Sequence, residues 1–451
     1  MGAILDLAEK LWEGKEHTYT HHPFGPPYDT ESVAKGTWFN KGFANTIIRK
    51  TEAGLIIVDP GGFFNSRVKF KSIRKTIPDR LHTAIFTHGH TDHVFGVPQY
   101  VNEAADHGWP RPQVIAHEAM PERFRRYIKT AGWNGVINGR QFQGGADQPT
   151  WPEQFTLPDI VYSKHLNINV GGVDVFLRHA KGETDDHTWV FFPDTRVLCT
   201  GDLFIYAVPN AGNPQKVQRY AGEWAMALRD MAALEPEVLA PGHGFPIVGK
   251  KRVCQALEET AAVLVSIEEQ TLGLMNKGAA LDEVLHAVKI PEKLGQRPYL
   301  QPVYDEPEFI VRNIYRLYGG WYDGMPSHLK PAPEKDQAME LARLAGGADK
   351  LIARAEILLD ESNPRLACHL ADWAFLAAPQ DAIVKKAVGR IYMARAELEP
   401  STMAMGIYLS TAREMGAVSK SKLLQNGNLF GAQAERGKKM TTPVLPTGQK
   451  T

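Results

Sequence analysis

Three histidines and an aspartate lie within six residues of one another, at His88, His90, Asp92 and His93. In proteins Zn²⁺ is bound by imidazole nitrogens and carboxylate oxygens, and iron and manganese accept the same ligands. In an extended or turning chain alternate residues share a face, so His88 and His90 can reach one cation while Asp92 and His93 reach a second. A polar loop with incidental histidines is the alternative, but this spacing directly after an apolar strand is specific. The run therefore predicts a metal centre.

The elements that must position this run are short strands alternating with helices over about residues 36–250. Apolar, β-branched runs predict strands near 45–49, 54–59, 83–87, 114–116, 174–177, 188–192, 197–199 and 238–240. Segments with helical periodicity are 66–76, 94–106, 118–131 and 216–233. A mixture of this kind predicts an α/β fold with sheets covered by helices.

From Lys251 onward the strand signals disappear. Amphipathic periodicity predicts helices at 251–276, 281–288, 308–318, 334–344, 348–360, 364–377, 380–396 and 401–415. We therefore predict a catalytic domain over 1–250, an all-α domain over 251–425 and a flexible C-terminal tail over 426–451.

Length, charge and composition narrow the class of protein. The chain has 451 residues, with 51 basic and 51 acidic side chains and 43% apolar residues. These values argue against wholesale disorder, and the lack of basic excess argues against a nucleic-acid partner. No run of about 18–20 apolar residues predicts a membrane span. Three scattered cysteines and an N-terminus without a signal-peptide pattern predict a cytoplasmic protein.

The His88 to His93 run resembles the metallo-β-lactamase superfamily, whose fold is an αββα sandwich with one or two metals at the sheet edges. The resemblance implies further ligands in a fixed order. Asp202, at the end of a strand reading Gly-Asp, matches the bridging carboxylate, and His243, in Pro-Gly-His, matches the late histidine. The implied cofactor is two Zn²⁺ per chain, with iron or manganese in one site left open.

The remaining ligand position departs from the superfamily pattern Gly-His-Thr-x-x-His. This chain reads Gly-Glu-Thr-Asp-Asp-His from Gly182, so the aligned ligand is Glu183. A carboxylate oxygen can replace an imidazole nitrogen on zinc, although its charge makes the cation a weaker Lewis acid. His179 is the rival ligand, and His187 is a candidate for orienting a ligand from behind.

A glutamate at this position is similar to the alkylsulfatases of the superfamily, although these usually bridge with glutamate where this chain has Asp202. The runs 299–305 and 315–329, the second with a Gly-Trp-Tyr-Asp-Gly core, resemble the alkylsulfatase dimerisation domain. The resemblance implies a homodimer formed through the helical domain. Alkylsulfatases usually carry a further sterol-carrier-like domain, which we expect this chain to lack.

The implied activity is hydrolysis of alkyl or aryl sulfate esters by a metal-bridging hydroxide, with a small anionic ester as substrate. Asp92, Asp202 and Tyr304 are the predicted catalytic residues. The alternatives are hydrolysis of a phosphodiester, phosphonate, lactone or carboxylic ester, or a scaffold whose helical half binds a partner. An intact ligand set argues against the scaffold.

Substrate-binding residues follow from offsets in the same family. Asn210 lies at the offset of a sulfate-binding asparagine, and either Lys216 or Arg219 lies near a sulfate-binding arginine, with a solvated helix face as the alternative.

Four further side chains are candidates for the pocket. Tyr206 and His328 are further candidate proton donors beside Tyr304. Trp133 and Phe142, in a Gly-rich insertion at 131–150, are candidates for an apolar wall, although surface packing explains them equally well.

Overall fold

The computed structural model describes residues 2–142 and 151–417. The predicted tail at 426–451 and part of the insertion at 131–150 lie outside these ranges. Within them, two sheets face one another and carry helices on their outer sides. The αββα sandwich followed by helices that the sequence predicts is therefore confirmed.

The first sheet has seven strands in chain order. They are β1 Thr30–Ala34, β2 Thr37–Asn40, β3 Thr46–Thr51, β4 Gly54–Val58, β5 Leu81–Ile85, β6 Gln113–His117 and β7 Ile160–Tyr162. Strands β4 to β7 are parallel. The second sheet has the order β13-β12-β11-β10-β9-β8, with only β11 and β12 parallel to each other. Its strands are β8 His165–Val170, β9 Val173–His179, β10 Thr188–Phe192, β11 Val197–Ile205, β12 Val238–His243 and β13 Ile247–Val248.

Sixteen α-helices complete the described ranges. Those before the helical half are α1 Ala3–Trp12, α2 Ser66–Thr76, α3 Val97–His107, α4 Met120–Lys129, α5 Ala131–Gln141 and α6 Ala221–Ala233. The others are α7 Lys250–Met275, α8 Leu281–Ala287, α9 Glu292–Gly295, α10 Pro307–Gly319, α11 Pro326–Leu329, α12 Glu334–Ala345, α13 Ala348–Asp360, α14 Pro364–Ala377, α15 Ala382–Glu397 and α16 Thr402–Glu414. None of the helices described is long and apolar enough to cross a bilayer.

Strand β4 shows why the apolar runs are continuous. Ile56 and Val58 face the second sheet, while Leu55 and Ile57 face the layer formed by α2, α3 and α4. A parallel strand covered on both faces has no solvent side, so it does not alternate apolar with polar residues.

The domain boundary at residue 250 stays a prediction. The helix that begins there packs closely against the preceding domain. Helix α7 begins at Lys250 and packs against α6. Its buried residues Leu257, Ala261 and Leu264 belong to the same apolar core as the two sheets. The helical half also has its own core, formed mainly by alanines and leucines of α12 to α15.

Helix α5 is where the structure differs most from the sequence prediction. Three glycines between 131 and 141 weaken the helix signal, because glycine costs up to about 1 kcal/mol in a helix interior. Tertiary contacts compensate, since α16 crosses α5 so closely that a Cβ on Gly406 would lie 1.9 Å from the Gln141 carbonyl oxygen. Trp133 is 58% exposed on this helix and does not line the pocket described below.

Candidate metal centre

The predicted metal ligands all lie at one edge of the sandwich. The loop after β5 carries four of them, the loop between β9 and β10 carries Glu183, β11 carries Asp202, and β12 ends at His243. Because β4, β5 and β6 run parallel, and β11 runs parallel to β12, their carboxyl ends deliver these loops to the same edge. The structure therefore brings together all seven residues.

One group consists of His88, His90, Glu183 and Asp202, whose candidate ligand atoms lie within 4.8 Å of one another. Glu183 Oε2 lies 3.6 Å from His88 Nε2 and 3.5 Å from His90 Nδ1. His88 Nε2 lies 3.8 Å from Asp202 Oδ2. Two nitrogens and two carboxylate oxygens facing one point suit a divalent cation.

The second group consists of Asp92, His93 and His243. Asp92 Oδ2 lies 3.5 Å from His93 Nε2 and 3.4 Å from His243 Nε2. Asp202 faces this group as well, with Oδ1 3.4 Å from His93 Nε2 and Oδ2 3.1 Å from His243 Nε2. Asp202 thus stands between the two groups, where a bridging ligand belongs.

Buried polar atoms without partners show that this chemistry fits two cations. His93 Nε2, Glu183 Oε2 and Asp202 Oδ1 have no hydrogen-bond partner among the described residues, and each belongs to a residue of one of the two groups. Each such atom costs about 1–3 kcal/mol if left unsatisfied. Burial, and then the Asp202 charge, hold the pKa of Glu183 well above its usual range. A cation would satisfy the atoms and offset this repulsion.

Two ligand histidines of the second group are oriented from behind. Asp59 accepts hydrogen bonds from His93 Nδ1 at 2.8 Å, from the Thr87 backbone N–H at 2.8 Å and from Thr87 Oγ1 at 2.7 Å. His243 Nδ1 donates to the Phe43 carbonyl oxygen at 2.5 Å. Each bond leaves Nε2 to face the site. Sequence reasoning missed Asp59, although its place at the end of β4, beside β5, was a usable signal.

The two other histidines weighed as ligands lie outside the groups. The His187 ring stacks on that of His88 at 4.5 Å between centroids, while its Nε2 lies 3.2 Å from the Thr200 carbonyl oxygen, so it packs against His88 rather than bonding a predicted ligand through a ring nitrogen. The rival ligand His179 instead stacks on His117 at 3.7 Å between centroids.

Two predicted substrate-binding residues hold Glu183. Arg219 is 1% exposed, its Nη2 lies 3.3 Å from Glu183 Oε1, and its Nη1 donates to the Glu183 carbonyl oxygen. Asn210 Nδ2 donates to Glu183 Oε1. Both residues also line the pocket. Their first effect is to fix the Glu183 carboxylate. Its Oε1 contacts Arg219 and Asn210, so its Oε2 is left to face His88 and His90.

Lys216 is the pocket cation with no carboxylate partner within the described ranges. Its Nζ donates to Asn138 Oδ1 at 3.0 Å and lies 5.8 Å from the centre of the Trp151 ring system. Burial, followed by the charge of Arg219, lowers the pKa of Lys216 to about 7, against the opposing effect of Asp92 and Glu183. Lys216 is therefore available to an incoming anion.

A cavity of about 420 Å³ opens onto the ligand groups. Its apolar wall is aromatic and is formed by Phe24, Phe43, Phe63, Phe64, Tyr127, Phe142, Trp151 and Tyr304. The hydroxyl oxygen of Tyr304 accepts a hydrogen bond from Gln141 Nε2 at 2.8 Å. Sequence reasoning identified Phe142 and Tyr304 but missed the remaining rings, which come from distant loops.

Two predicted proton donors do not line this cavity. Tyr206 packs among Phe245 and Tyr299 in the core, and His328 lies on the surface, 2.6 Å from the carboxylate of Asp323. Neither side chain is placed to serve an ester bound at the ligand groups.

Residues 40–243 match the metallo-beta-lactamase superfamily, and residues 280–417 match the family described as alkyl sulfatase dimerisation. A linear primary-alkylsulfatase from a Pseudomonas species is 26% identical over 381 residues, which are 80% of this chain and 72% of that protein. An alkyl/aryl-sulfatase from Saccharomyces cerevisiae is 27% identical over 338 residues, 69% of this chain. The chain spans only 52% of the yeast protein and 54% of an (R)-specific secondary-alkylsulfatase from Pseudomonas.

Solved structures show the same fold. The stereoselective inverting sec-alkylsulfatase Pisa1 from Pseudomonas superposes with a TM-score of 0.78, at 21% identity, over 87% of this chain and 66% of that chain. A double mutant of the same enzyme gives 0.79, at 19% identity, over 89% of this chain and 70% of that chain. The similarity extends through both the sandwich and the helical half.

Proposed function

We propose that this homologue of the alkylsulfatases, which joins a metallo-β-lactamase domain to an alkylsulfatase dimerisation domain, hydrolyses organic sulfate esters. The observation that carries the proposal is the convergence of seven ligand residues beneath an aromatic cavity with an unpaired cation, Lys216, in its wall. An anionic head group and an apolar tail are the substrate features that such a site recognises.

Two zinc ions would be held by the two groups, with Asp202 shared between them. When bound, such ions would lower the pKa of a bridging water, so that hydroxide is available near neutral pH, and would offset charge on the leaving group. Asp202 would be the residue shared by the two ions, and Asp92 would hold the ion of the second group. Arg219 and Asn210 keep the Glu183 oxygen directed at the first group.

The cavity orients the ester. Its sulfate lies toward Lys216 and Asn210, and its alkyl or aryl part lies along the aromatic wall. Gln141 donates to the Tyr304 oxygen, so the hydroxyl hydrogen of Tyr304 is free to be donated to the ester oxygen that leaves. The catalytic residues we propose are therefore Asp92, Asp202 and Tyr304.

Release of inorganic sulfate from a panel of primary, secondary and aryl sulfate esters tests this function, on protein first analysed for metal. We expect about two zinc ions per chain and sulfate release from at least one class. A phosphodiester and a lactone are measured alongside, because the aspartate at position 202 favours a different ester as the second candidate. Two bound metals with every sulfate ester inert would favour that second candidate.

Replacing Lys216 by methionine is expected to raise KM for a sulfate ester by about 10–100-fold, the effect of one charge-assisted hydrogen bond. Because the pKa of Lys216 is about 7, the wild-type lysine loses its charge as pH rises, and kcat/KM falls above about pH 7. That decline is absent in the variant, whereas Lys216→Arg keeps its charge and its low KM at high pH. An unchanged KM in Lys216→Met would assign sulfate binding to other residues.

We propose a homodimer formed through the segment 318–329 of the helical half. Tyr318, Trp321, Met325 and Leu329 are each 54–69% exposed within this short stretch. Apolar side chains gathered on a surface in this way mark an interface. Their segment lies inside the region that matches the dimerisation family.

The double variant Trp321→Asp with Met325→Asp is expected to be monomeric, because a charge buried at an interface without a partner opposes association. Light scattering after size exclusion measures the mass. Met226→Asp, on α6 and 58% exposed, is the matched control and is expected to remain dimeric. Monomeric wild-type protein, or a double variant that still dimerises, would contradict the proposed interface.

The cysteines support a reducing location, and we propose the cytoplasm. Cys199, Cys254 and Cys368 are all free thiols in the structure. Cys199 is fully buried, and burial raises the pKa of its thiol well above the usual range, which makes it unreactive.

A further inference from the structure

A buried ion pair lies behind the loop that carries His88 and His90. Arg123 on α4 is 3% exposed, and Asp186, in the loop between β9 and β10, is fully buried. Arg123 Nε lies 2.8 Å from Asp186 Oδ1, and the guanidinium also contacts the partly exposed Asp185. Such a pair adds little net stability, since desolvation of both charges offsets their attraction.

The second oxygen of Asp186 is bonded to the metal-binding loop itself. Asp186 Oδ2 accepts a hydrogen bond from the backbone N–H of Gly89 at 2.9 Å. The loop lies directly on the pair, because a Cβ on Gly89 would lie 2.6 Å from Arg123 Cδ and 3.1 Å from Asp186 Oδ2. Gly89, between His88 and His90, is thus hydrogen-bonded to Asp186 and packed against Arg123.

The histidines need this support because they present different ring nitrogens. His88 Nε2 and His90 Nδ1 lie 2.8 Å apart and both face Glu183. Nδ1 is the ring nitrogen closer to the backbone and Nε2 is the more distant one. For His90 Nδ1 and His88 Nε2 to face the same point, the backbone between the two residues must hold a particular conformation. The Gly89 hydrogen bond fixes that conformation.

The second ligand group has a separate support. Asp59 holds His93 and Thr87 and has no hydrogen bond to Gly89 or to Arg123 in the described structure. Asp59 bonds His93 directly and reaches His88 only through Thr87, whose Oγ1 lies 3.0 Å from His88 Nδ1. Asp186 instead acts on the backbone between His88 and His90.

We propose that Arg123 and Asp186 are positioning residues for the first cation site alone, the site of His88, His90 and Glu183. The proposal rests on the two-cation centre proposed above. It means that the affinity of the first cation site can be changed through Asp186 while the second site is retained. Loss of a partner that orients a metal ligand typically weakens metal binding by about 10–100-fold.

The test is zinc binding to Asp186→Ala, measured by chelator competition, with cobalt(II) absorption as a second readout of each site. We expect one cation held as in the wild type and one weakened by about 10–100-fold. Asp186→Asn retains an oxygen that can accept from Gly89, so we expect partial rescue. Asp185→Asn is the matched control, since Asp185 contacts Arg123 but not the loop, and both sites should stay near wild type.

Asp59→Asn is expected to weaken the second site most, because its bond to His93 is direct while its link to His88 runs through Thr87. Equal weakening of both sites in Asp186→Ala, or no weakening of either, would overturn the proposal. If Asp186→Ala fails to fold by circular dichroism, the same comparison is made with Asp186→Asn and Arg123→Lys. Wild-type protein without cations would overturn this proposal together with the metal centre. Two cations without sulfate release would overturn only the proposed reaction.

Discussion

Replacing Asp202 by alanine is expected to release both cations and to lower sulfate release by more than about 10³-fold. The reason is its position, because its carboxylate oxygens lie 3.1–3.8 Å from ligand nitrogens of both groups, at His243, His93 and His88. Without Asp202 each group keeps its histidines but the separation of the cations is no longer fixed. Metal content per chain and kcat/KM are measured on the same preparation.

The control is Asp174→Ala, an exposed aspartate on β9 whose only role in the described structure is a 2.7 Å hydrogen bond from Asn169. It should retain both cations and full activity. If Asp202→Ala kept two cations, the shared ligand would have to be another residue, and the arrangement proposed for the centre would be wrong.

Gly242→Ala is expected to be almost as damaging, although it changes no ligand. A Cβ at this position would lie 2.1 Å from Asp202 Oδ1 and 2.6 Å from the Gly201 carbonyl carbon. Either Asp202 or β12 must move, and a displacement of about 1 Å at a reacting centre can lower the rate by about 10²-fold. We therefore expect a loss of at least about 10²-fold in kcat/KM with weaker zinc binding and unchanged circular dichroism.

Gly273→Ala on α7 is the matched control, because a Cβ there meets nothing within 4 Å. Alanine at an open helix position should raise the free energy of unfolding by about 0.5–1 kcal/mol and leave activity unchanged. Full activity in Gly242→Ala would mean that β12 can shift without disturbing the shared carboxylate.

The elements with strong local signals were predictable from the sequence. The buried strands β4 and β10 have almost uninterrupted apolar sequences, and helix α2 at Ser66–Thr76 coincides with its predicted range. By contrast β8, whose sequence HLNINV alternates partly buried with exposed residues, was missed because its apolar signal is diluted. Helix α5 was missed because its stability comes from α16, which lies far away in sequence.

The residues of the site also differ in how far the sequence could predict them. The seven predicted ligands sit at strand ends in short motifs, so their types and spacing were sufficient to predict that they converge. The residues that hold the ligands were harder to predict. The sequence pointed to Asn210 and Arg219 near the site but not to their contact with Glu183. Asp59 could be suspected from its place at the end of β4, but its contact with His93, 34 residues away, and that of Asp186 with Gly89, 97 residues away, appear only in the structure. Contacts of that kind depend on which strands become neighbours.

The contact of α16 with the pocket has a consequence for the order in which the protein becomes competent during synthesis. Ser401 Oγ donates to the Tyr304 carbonyl oxygen at 2.6 Å, and Gly406 lies against Gln141, the partner of the Tyr304 hydroxyl. The last ligand, His243, is made about 160 residues earlier, which at roughly 5–20 residues per second is about 10–30 s. The nascent chain therefore has its full set of metal ligands well before its substrate pocket is buttressed, and it can acquire cations before it can hold an ester in place.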